Sequence, residues 1–260
     1  MPILQGFIMR DFETIAKKLV TFIQDEVTKR GFNAVVFGLS GGIDSAVVAR
    51  LCQLAFKKTH KALMLPSNQS SKESLQDALE LCQKFGIAYE ILSIKEPQSA
   101  FLQTLPNIAQ SQIRLGNLSA RLRMICLYDY AFAKNALVVG TSNKSEILLG
   151  YGTIFGDLAC AINPIGNLYK TEIYELAKVL GIPQSILQKP PSADLYAGQS
   201  DEKELGFSYA ILDRIMLLLH EEKDDAVILK EGLPKEALQL VKERMQRFAF
   251  KQEMPKIAQI

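Results

Sequence analysis

The chain predicts a doubly wound parallel α/β sheet, and three observations predict it. Short apolar runs recur at Ala34–Phe37, Ala62–Leu65, Tyr89–Leu92 and Ala136–Val139. The stretches between them repeat apolar residues at three- and four-residue spacing. The first run opens directly onto a glycine- and serine-rich turn. A strand buried on both faces loses the alternation of a half-exposed one, so apolar runs alternating with helical periodicity are the pattern of a parallel sheet covered by helices.

Taken in order, Asp11–Lys29 carries Phe12, Ile15, Ala16, Leu19, Phe22, Ile23 and Val27 on one helical face, and Gly31 ends it. Ala34–Phe37 is the first strand, followed by a helix from about Ser45 to Phe56. Ala62–Leu65 is the second strand, closed by Pro66, and Ser70–Phe85 is a helix stopped by Gly86. Tyr89–Leu92 makes the third strand. A stretch punctuated by prolines follows, then a long helix over Asn117–Lys134 and a fourth strand at Ala136–Val139. Tyr169–Leu180 is a further helix, and the chain from Ser208 onward is mostly helical. Asp194–Gly206 is polar, holds two glycines and lacks periodicity, which predicts a mobile loop. Phe101, Leu102 and Leu105, with Leu118, Leu122 and Ile125, read as core. No internal repeat or low-complexity tract is present, and residues 1–260 read as a single domain with a helical C-terminal part.

Composition narrows the class. The 260 residues are 48% hydrophobic and 22% charged, which excludes disordered, collagenous and coiled-coil readings. A net charge of +2 gives no electrostatic footprint for nucleic acid. Cys52, Cys82, Cys126 and Cys160 form no C-x-x-C pair, so they predict buried thiols in a reducing compartment rather than zinc or redox sites. No apolar run reaches membrane-spanning length, and the opening MPILQGFIMRDF lacks the basic and apolar regions of a signal peptide. A cytoplasmic location without membrane partners is the expectation. His60 and His220 are far apart, and neither joins a nucleophile or metal pattern.

Sheets of this kind bind ligands beyond the carboxyl ends of their strands. After the first strand stands Gly38-Leu39-Ser40-Gly41-Gly42-Ile43-Asp44-Ser45. The glycines let the backbone approach an anion, the helix beyond aims free amides at it, and Ser40 and Ser45 add hydroxyls. Asp44 would repel a phosphate directly, so its natural task is to hold a magnesium ion shared with phosphate oxygens. A Walker A loop would need a lysine before Ser45, and a dinucleotide fingerprint would need G-x-G-x-x-G. The turn predicts a phosphate site of another kind.

S-G-G-x-D-S after a buried strand resembles the loop of enzymes that split ATP between its α- and β-phosphates, the N-type ATP pyrophosphatase superfamily. Further blocks narrow the resemblance to ammonia-dependent NAD synthetase. They are Gly116–Met124, Val139–Glu146, Gly150–Asp157, Asn163-Pro164, Leu168–Lys170, Lys189–Leu195 and Gly198–Glu202. The matching blocks run from about Asn33 to Tyr209. The resemblance implies a Rossmann-like fold of the adenine nucleotide alpha hydrolase type and a C–N ligase that amidates deamido-NAD to NAD. It further implies an acyl-adenylate intermediate, with AMP and pyrophosphate released. ATP, deamido-NAD and ammonia are the implied small-molecule partners, and a homodimer is implied through the region of Phe101, Leu102 and Leu105 with Leu118, Leu122 and Ile125.

By the same resemblance Asp44 and Glu146 are the magnesium carboxylates, which their positions at two strand ends support independently. Lys170 opens a helix, where its charge opposes the helix dipole; an anionic partner would explain it, and the resemblance assigns it to ATP phosphates. Thr141, Ser192 and Gln69 are implied ATP contacts beside Gly38–Ser45. Arg121, Asp157 and Lys251 are implied contacts of the dinucleotide. Arg123, two positions from Arg121, points elsewhere and reads as a surface or interface residue. Part of the family carries a lysine where Ile154 stands, an aspartate at Ala161 and a histidine at Phe250.

Two other readings remain at this level. An RNA-modifying enzyme on the same ATP-splitting fold would call for a basic face and usually a cysteine pair. A non-catalytic adenine-nucleotide sensor would not need carboxylates at two strand ends.

Overall fold

The computed structural model describes residues 10–105, 107–192 and 200–259. From the N-terminus it orders α1 (Phe12–Lys29), β1 (Ala34–Gly38), α2 (Ile43–Ala55), β2 (His60–Met64), α3 (Lys72–Phe85), β3 (Tyr89–Ile91), α4 (Lys95–Thr104), α5 (Gln112–Lys134) and β4 (Ala136–Val138). Then follow α6 (Lys144–Leu148), α7 (Lys170–Val179), α8 (Gln184–Leu187), α9 (Asp201–Leu205), α10 (Tyr209–His220), α11 (Asp225–Lys230) and α12 (Lys235–Phe248).

The strands pair in the order β3-β2-β1-β4, and each pairing is parallel. β1 lies between β2 and β4, with Val36 opposite Lys61 on one side and Val138 on the other. The chain moves outward from β1 through β2 to β3, then returns to the opposite side for β4. The strand order therefore reverses between β1 and β4, and a crevice opens at their carboxyl ends.

Alternation along β1 shows why its sequence is apolar throughout. Val35 and Phe37 pack with α1, α2, α3 and α7, whereas Val36 packs with Leu122 and Ala131 of α5 on the other face. A third apolar cluster joins Leu149 and Tyr169 to α10, α11 and α12 through Leu212, Ile215, Ile228 and Val241. Helix α7 belongs to two of these clusters, with Ile173 and Leu176 facing the sheet side and Tyr169 at its N-cap facing the C-terminal helices.

Several expectations are corrected. Helix α5 begins at Gln112, five positions before the predicted start. Helix α4 lies in the proline-punctuated stretch because Pro97 falls in its first turn, where a missing amide breaks no helical bond. Of the loop expected over 194–206, Asp201–Leu205 is helical and Gly206 is its left-handed cap; residues 194–199 lie outside the described residues. The expected core of Phe101, Leu105 and Ile125 is solvent-exposed, while Leu122 is buried. Their periodicity is helical, but the core covers only one side of α4 and one side of α5.

Candidate active site

The β1–α2 turn continues the sheet ladder, with Leu39 N–H donating to the Leu63 carbonyl at 2.9 Å. Gly41 then takes a φ of +86°, and a Cβ there would come within 2.0 Å of the Ser74 carbonyl oxygen. Glycine is needed both for the conformation and for contact with the first turn of α3. The two predicted hydroxyl donors stabilise the turn itself. Gly42 N–H donates to Ser40 Oγ at 3.2 Å, Ser40 N–H to Ser45 Oγ at 3.2 Å, and Ser45 Oγ–H to the Gly42 carbonyl at 2.9 Å. Gly38, Leu39, Ser40 and Asp44 face a cavity of about 1000 Å³, large enough for two nucleotide substrates, and Gly42 and Ile43 face a smaller recess beside it.

Helix α6 starts at the carboxyl end of β4 with Asn143 as its N-cap. Glu146 N–H donates to Asn143 Oδ1 at 3.0 Å, and Glu146 Oε2 accepts the Asn143 N–H at 3.2 Å. This reciprocal cap holds Glu146 at the crevice. The Asn143 amide also donates to Asp44 Oδ1 at 2.8 Å, tying the two strand ends together. Lys170, the first residue of α7, donates through Nζ to Asp44 Oδ2 at 2.6 Å and to Glu146 Oε1 at 3.0 Å. The anionic partners that its position demands are these two carboxylates.

Two carboxylates sharing one cation leave an excess of negative charge. Burial pushes the Glu146 carboxyl up, to about 8, with Lys170 opposing that rise and Asp44 adding to it. Burial alone would lower the Lys170 pKa, but Asp44 and Glu146 outweigh it and hold the ammonium well above its ordinary value. Such a pair of acids fits a magnesium ion, which takes one or two carboxylates and completes its shell with water and substrate phosphates. Among the described residues no three His, Cys, Asp or Glu side chains gather as a self-sufficient metal site.

A buried relay aims Lys170. Its backbone N–H donates to Ser145 Oγ at 2.8 Å, and Ser145 Oγ–H donates to Asp213 Oδ1 at 2.5 Å. Asp213 Oδ2 accepts the Thr171 N–H at 2.9 Å. Asp213 is fully buried on α10, and burial raises its carboxyl to about 6 against these hydrogen bonds. It joins α6, α7 and α10 at one point, although its sequence position among ILDRIM resembles an ordinary helix interior.

The other predicted residues divide. Thr141, Ser192, Asp157 and Lys251 line the large cavity. Lys251 Nζ donates to the Gly150 and Gly152 carbonyls at 2.8 and 2.7 Å, and Asp157 Oδ1 accepts the Thr153 N–H at 2.9 Å, so both shape the 150–157 segment. Arg121 is exposed and reaches the Ile154 carbonyl at 3.4 Å. Gln69 is not among the lining residues; its Oε1 accepts from the buried Gln98 amide at 2.8 Å. Arg123, expected at the surface, instead lines the cavity, donating from Nε to the Leu65 carbonyl at 3.0 Å and from Nη2 to Ser70 Oγ at 3.2 Å. Neighbouring arginines on a helix do diverge, and here the inward one is Arg123. Asn143, Asp213 and Lys189, which also border this site or support it, went unassigned by sequence. Asn143 alone had a legible signal, being an N-cap residue three places before a glutamate.

Comparison with known proteins agrees with this geometry. A model of the NAD synthase family matches residues 15–255. A curated NH3-dependent NAD+ synthetase from Wolinella succinogenes is 53% identical over 251 residues, covering 95% of either chain. The solved structure of an NH3-dependent NAD synthetase from Campylobacter jejuni, in complex with nitrate, is 44% identical with a TM-score of 0.83, over 96% of this chain and 100% of that one. A solved NMN synthetase from Francisella tularensis is 35% identical with a TM-score of 0.86, over the same shares.

Proposed function

The chain belongs to the NAD synthase family, and on that premise we propose that it amidates nicotinate adenine dinucleotide (deamido-NAD) to NAD with ATP and ammonia. AMP and pyrophosphate are the other products. The observation that carries this reading is the meeting of Asp44, Glu146 and Lys170 at the β1/β4 switch point, inside a cavity that also receives Thr141, Asp157, Ser192 and Lys251. Family membership sets aside the RNA-modifying and sensor readings.

A nicotinate carboxylate is anionic and resonance-stabilised, so ammonia cannot displace its oxygen unaided. Its oxygen first bonds to the α-phosphorus of ATP while the bond to the bridging oxygen breaks and that electron pair leaves with pyrophosphate. Ammonia then adds to the acyl carbon, gives up protons to base, and AMP departs with the carbon–oxygen electron pair. The protein's part is alignment and charge neutralisation. Ser40, Gly42 and the start of α2 cradle phosphates, and Lys170 neutralises them. Asp44 and Glu146 would hold magnesium, which when bound supplies electrostatic stabilisation to the phosphate oxygens. Thr141 and Ser192 contact ATP, and Gln69 does so after leaving Gln98; Arg121, Asp157 and Lys251 contact the dinucleotide. Arg123 shapes the wall after β2.

The reading includes a homodimer. Its support is an apolar face left by the sheet on α5, where Ile125 is 55% and Phe132 93% exposed. Residues 1–260 act as one unit in this reading because α7 serves both the sheet and the C-terminal helices. A cytoplasmic location accords with four cysteines free of disulfides, and among the described residues no helix is long and apolar enough to cross a membrane.

The test is an assay of the full chain with ATP, magnesium, deamido-NAD and ammonium chloride, following NAD, AMP and pyrophosphate together. Equal formation of all three, abolished without the dinucleotide, is expected. Preference for nicotinate mononucleotide would reassign the acceptor, and absence of ATP cleavage would defeat the reading.

A further inference from the structure

The recess beside the β1–α2 turn is bordered by Ser40, Gly42, Ser74, Lys170, Lys189 and Ser192, among others. Among the described residues, its two cationic lining residues are Lys170 and Lys189. Lys170 is committed to Asp44 and Glu146. Lys189 stands apart from those acids: Nζ donates to Ser74 Oγ and to Asp77 Oδ2, each at 2.9 Å. Its side chain is 25% exposed and that of Asp77 is 9% exposed. The anchor is fixed against the turn, because Gly41 approaches the Ser74 carbonyl more closely than any other residue could. Lys189 is thus held beside the phosphate cradle by a carboxylate that does not line either cavity.

Charge decides what this lysine can do. When the bond to the α-phosphorus breaks, its electron pair stays on the bridging oxygen, so negative charge gathers on the departing pyrophosphate. That happens next to Asp44 and Glu146, which draw on part of the charge that Lys170 offers the phosphates. Stabilising the departing group calls for a cation on the other side of the turn, where charge develops. Resting on the adenylating reading given above, we propose that Lys189 is a further catalytic residue, whose ammonium exchanges Asp77 and Ser74 for the β- and γ-phosphate oxygens as pyrophosphate leaves. No proton moves in that exchange. Asp77 holds the ammonium in position between turnovers, and Ser192, three residues along the same segment, follows Lys189 toward the nucleotide.

The experiment titrates magnesium pyrophosphate into the full chain by calorimetry and measures AMP release at steady state. Lys189→Ala and Lys189→Gln are expected to weaken pyrophosphate binding and to lower kcat, each by about tenfold or more, the effect of losing one charged hydrogen bond. The KM for deamido-NAD should stay within about twofold, and Lys189→Arg should restore most of the pyrophosphate affinity. Asp77→Ala breaks the same ion pair but leaves the lysine, so its pyrophosphate affinity should equal or exceed that of the wild type. Wild-type affinity in Lys189→Gln would overturn the proposal. So would an Asp77→Ala variant that matches the loss in Lys189→Ala, because the pair would then be only a strut between α3 and the 189 segment. If the wild type released no AMP from ATP, the adenylating reading itself would fall, and this proposal with it.

Discussion

Lys170 Nζ stands 2.6 Å from Asp44 Oδ2, across 126 positions of sequence, and the contact closes the crevice between β1 and β4. Each residue is the natural product of its own element: an acid in the first turn of α2 and a lysine opening α7. Only the pairing makes sense of the lysine, whose charge is misplaced against its own helix dipole.

Removing either side of that contact separates chemistry from stability. Asp44→Ala should fold and lose at least ~100-fold in turnover, since metal-assisted charge stabilisation amounts to several kcal/mol. Lys170→Ala should cost about 3–5 kcal/mol of stability, because it leaves two carboxylates facing each other without their cation. Adding Glu146→Gln to Lys170→Ala should recover part of that stability in thermal melts and none of the activity. No recovery would mean that the acids do not repel across the crevice.

Two left-handed glycines provide a comparison in one chain. Gly31 has φ +79° and no atom of the described residues within 4 Å of where a Cβ would sit, whereas Gly41 has φ +86° and a backbone oxygen at 2.0 Å. Gly31→Ala should cost about 1–2 kcal/mol from conformation alone. Gly41→Ala should cost a further ~1–3 kcal/mol from overpacking and abolish tight ATP binding. Denaturant titration and ATP calorimetry check this. Equal stability and affinity in the two variants would show that α3 moves freely away from the turn.

The buried Asp213 makes stability depend on pH. Its folded-state pKa of about 6 lies above the ordinary 3.8, mainly through burial. The folded state therefore holds the proton more tightly than the unfolded chain. Ionisation costs on the order of 3 kcal/mol above pH ~6, and the cost disappears as pH falls toward ~4. Asp213→Asn lacks this titration. The melting temperature of wild type minus that of Asp213→Asn should rise as pH is lowered from about 7.5 to 4.5; a flat difference would remove Asp213 as the titrating group.

The exposed apolar face of α5 predicts the oligomeric state. Phe132 is 93% exposed, and a charge there costs a monomer less than about 0.5 kcal/mol. Ile125→Arg with Phe132→Glu should convert a dimer to a monomer in light scattering at micromolar concentration while the secondary structure is retained. A wild-type monomer under those conditions would refute the dimer.

Legibility in sequence followed the reach of each interaction. The central strands were readable because a parallel strand buried on both faces has no polar positions to spare, as Val35, Val36 and Phe37 illustrate. By contrast, β3 at the sheet edge leaves Tyr89 and Ile91 exposed and was legible only as a short run between turns. Helix α9 was hidden because DEKEL is charged and only Asp201 and Leu205 turn inward. The α5 face misled because periodicity reports that a helix has an apolar side, not which body covers it. Arg123 misled for the same reason: spacing separates it from Arg121 without saying which of the two points into the fold.

By itself the sequence determined the parallel sheet, the glycine turn with Asp44, the acid at Glu146 and the family blocks around them, since all of these are local patterns of backbone conformation and residue type. The tertiary structure alone decided that Lys170 joins both acids, that Asn143 links them, that Asp213 stands behind Ser145 and that Lys189 rests on Asp77. Each of those contacts is a charge or hydrogen bond between elements whose local sequences do not refer to one another. Their partners become specific only where the strand order reverses and the crossover helices bring distant chain segments to one edge of the sheet.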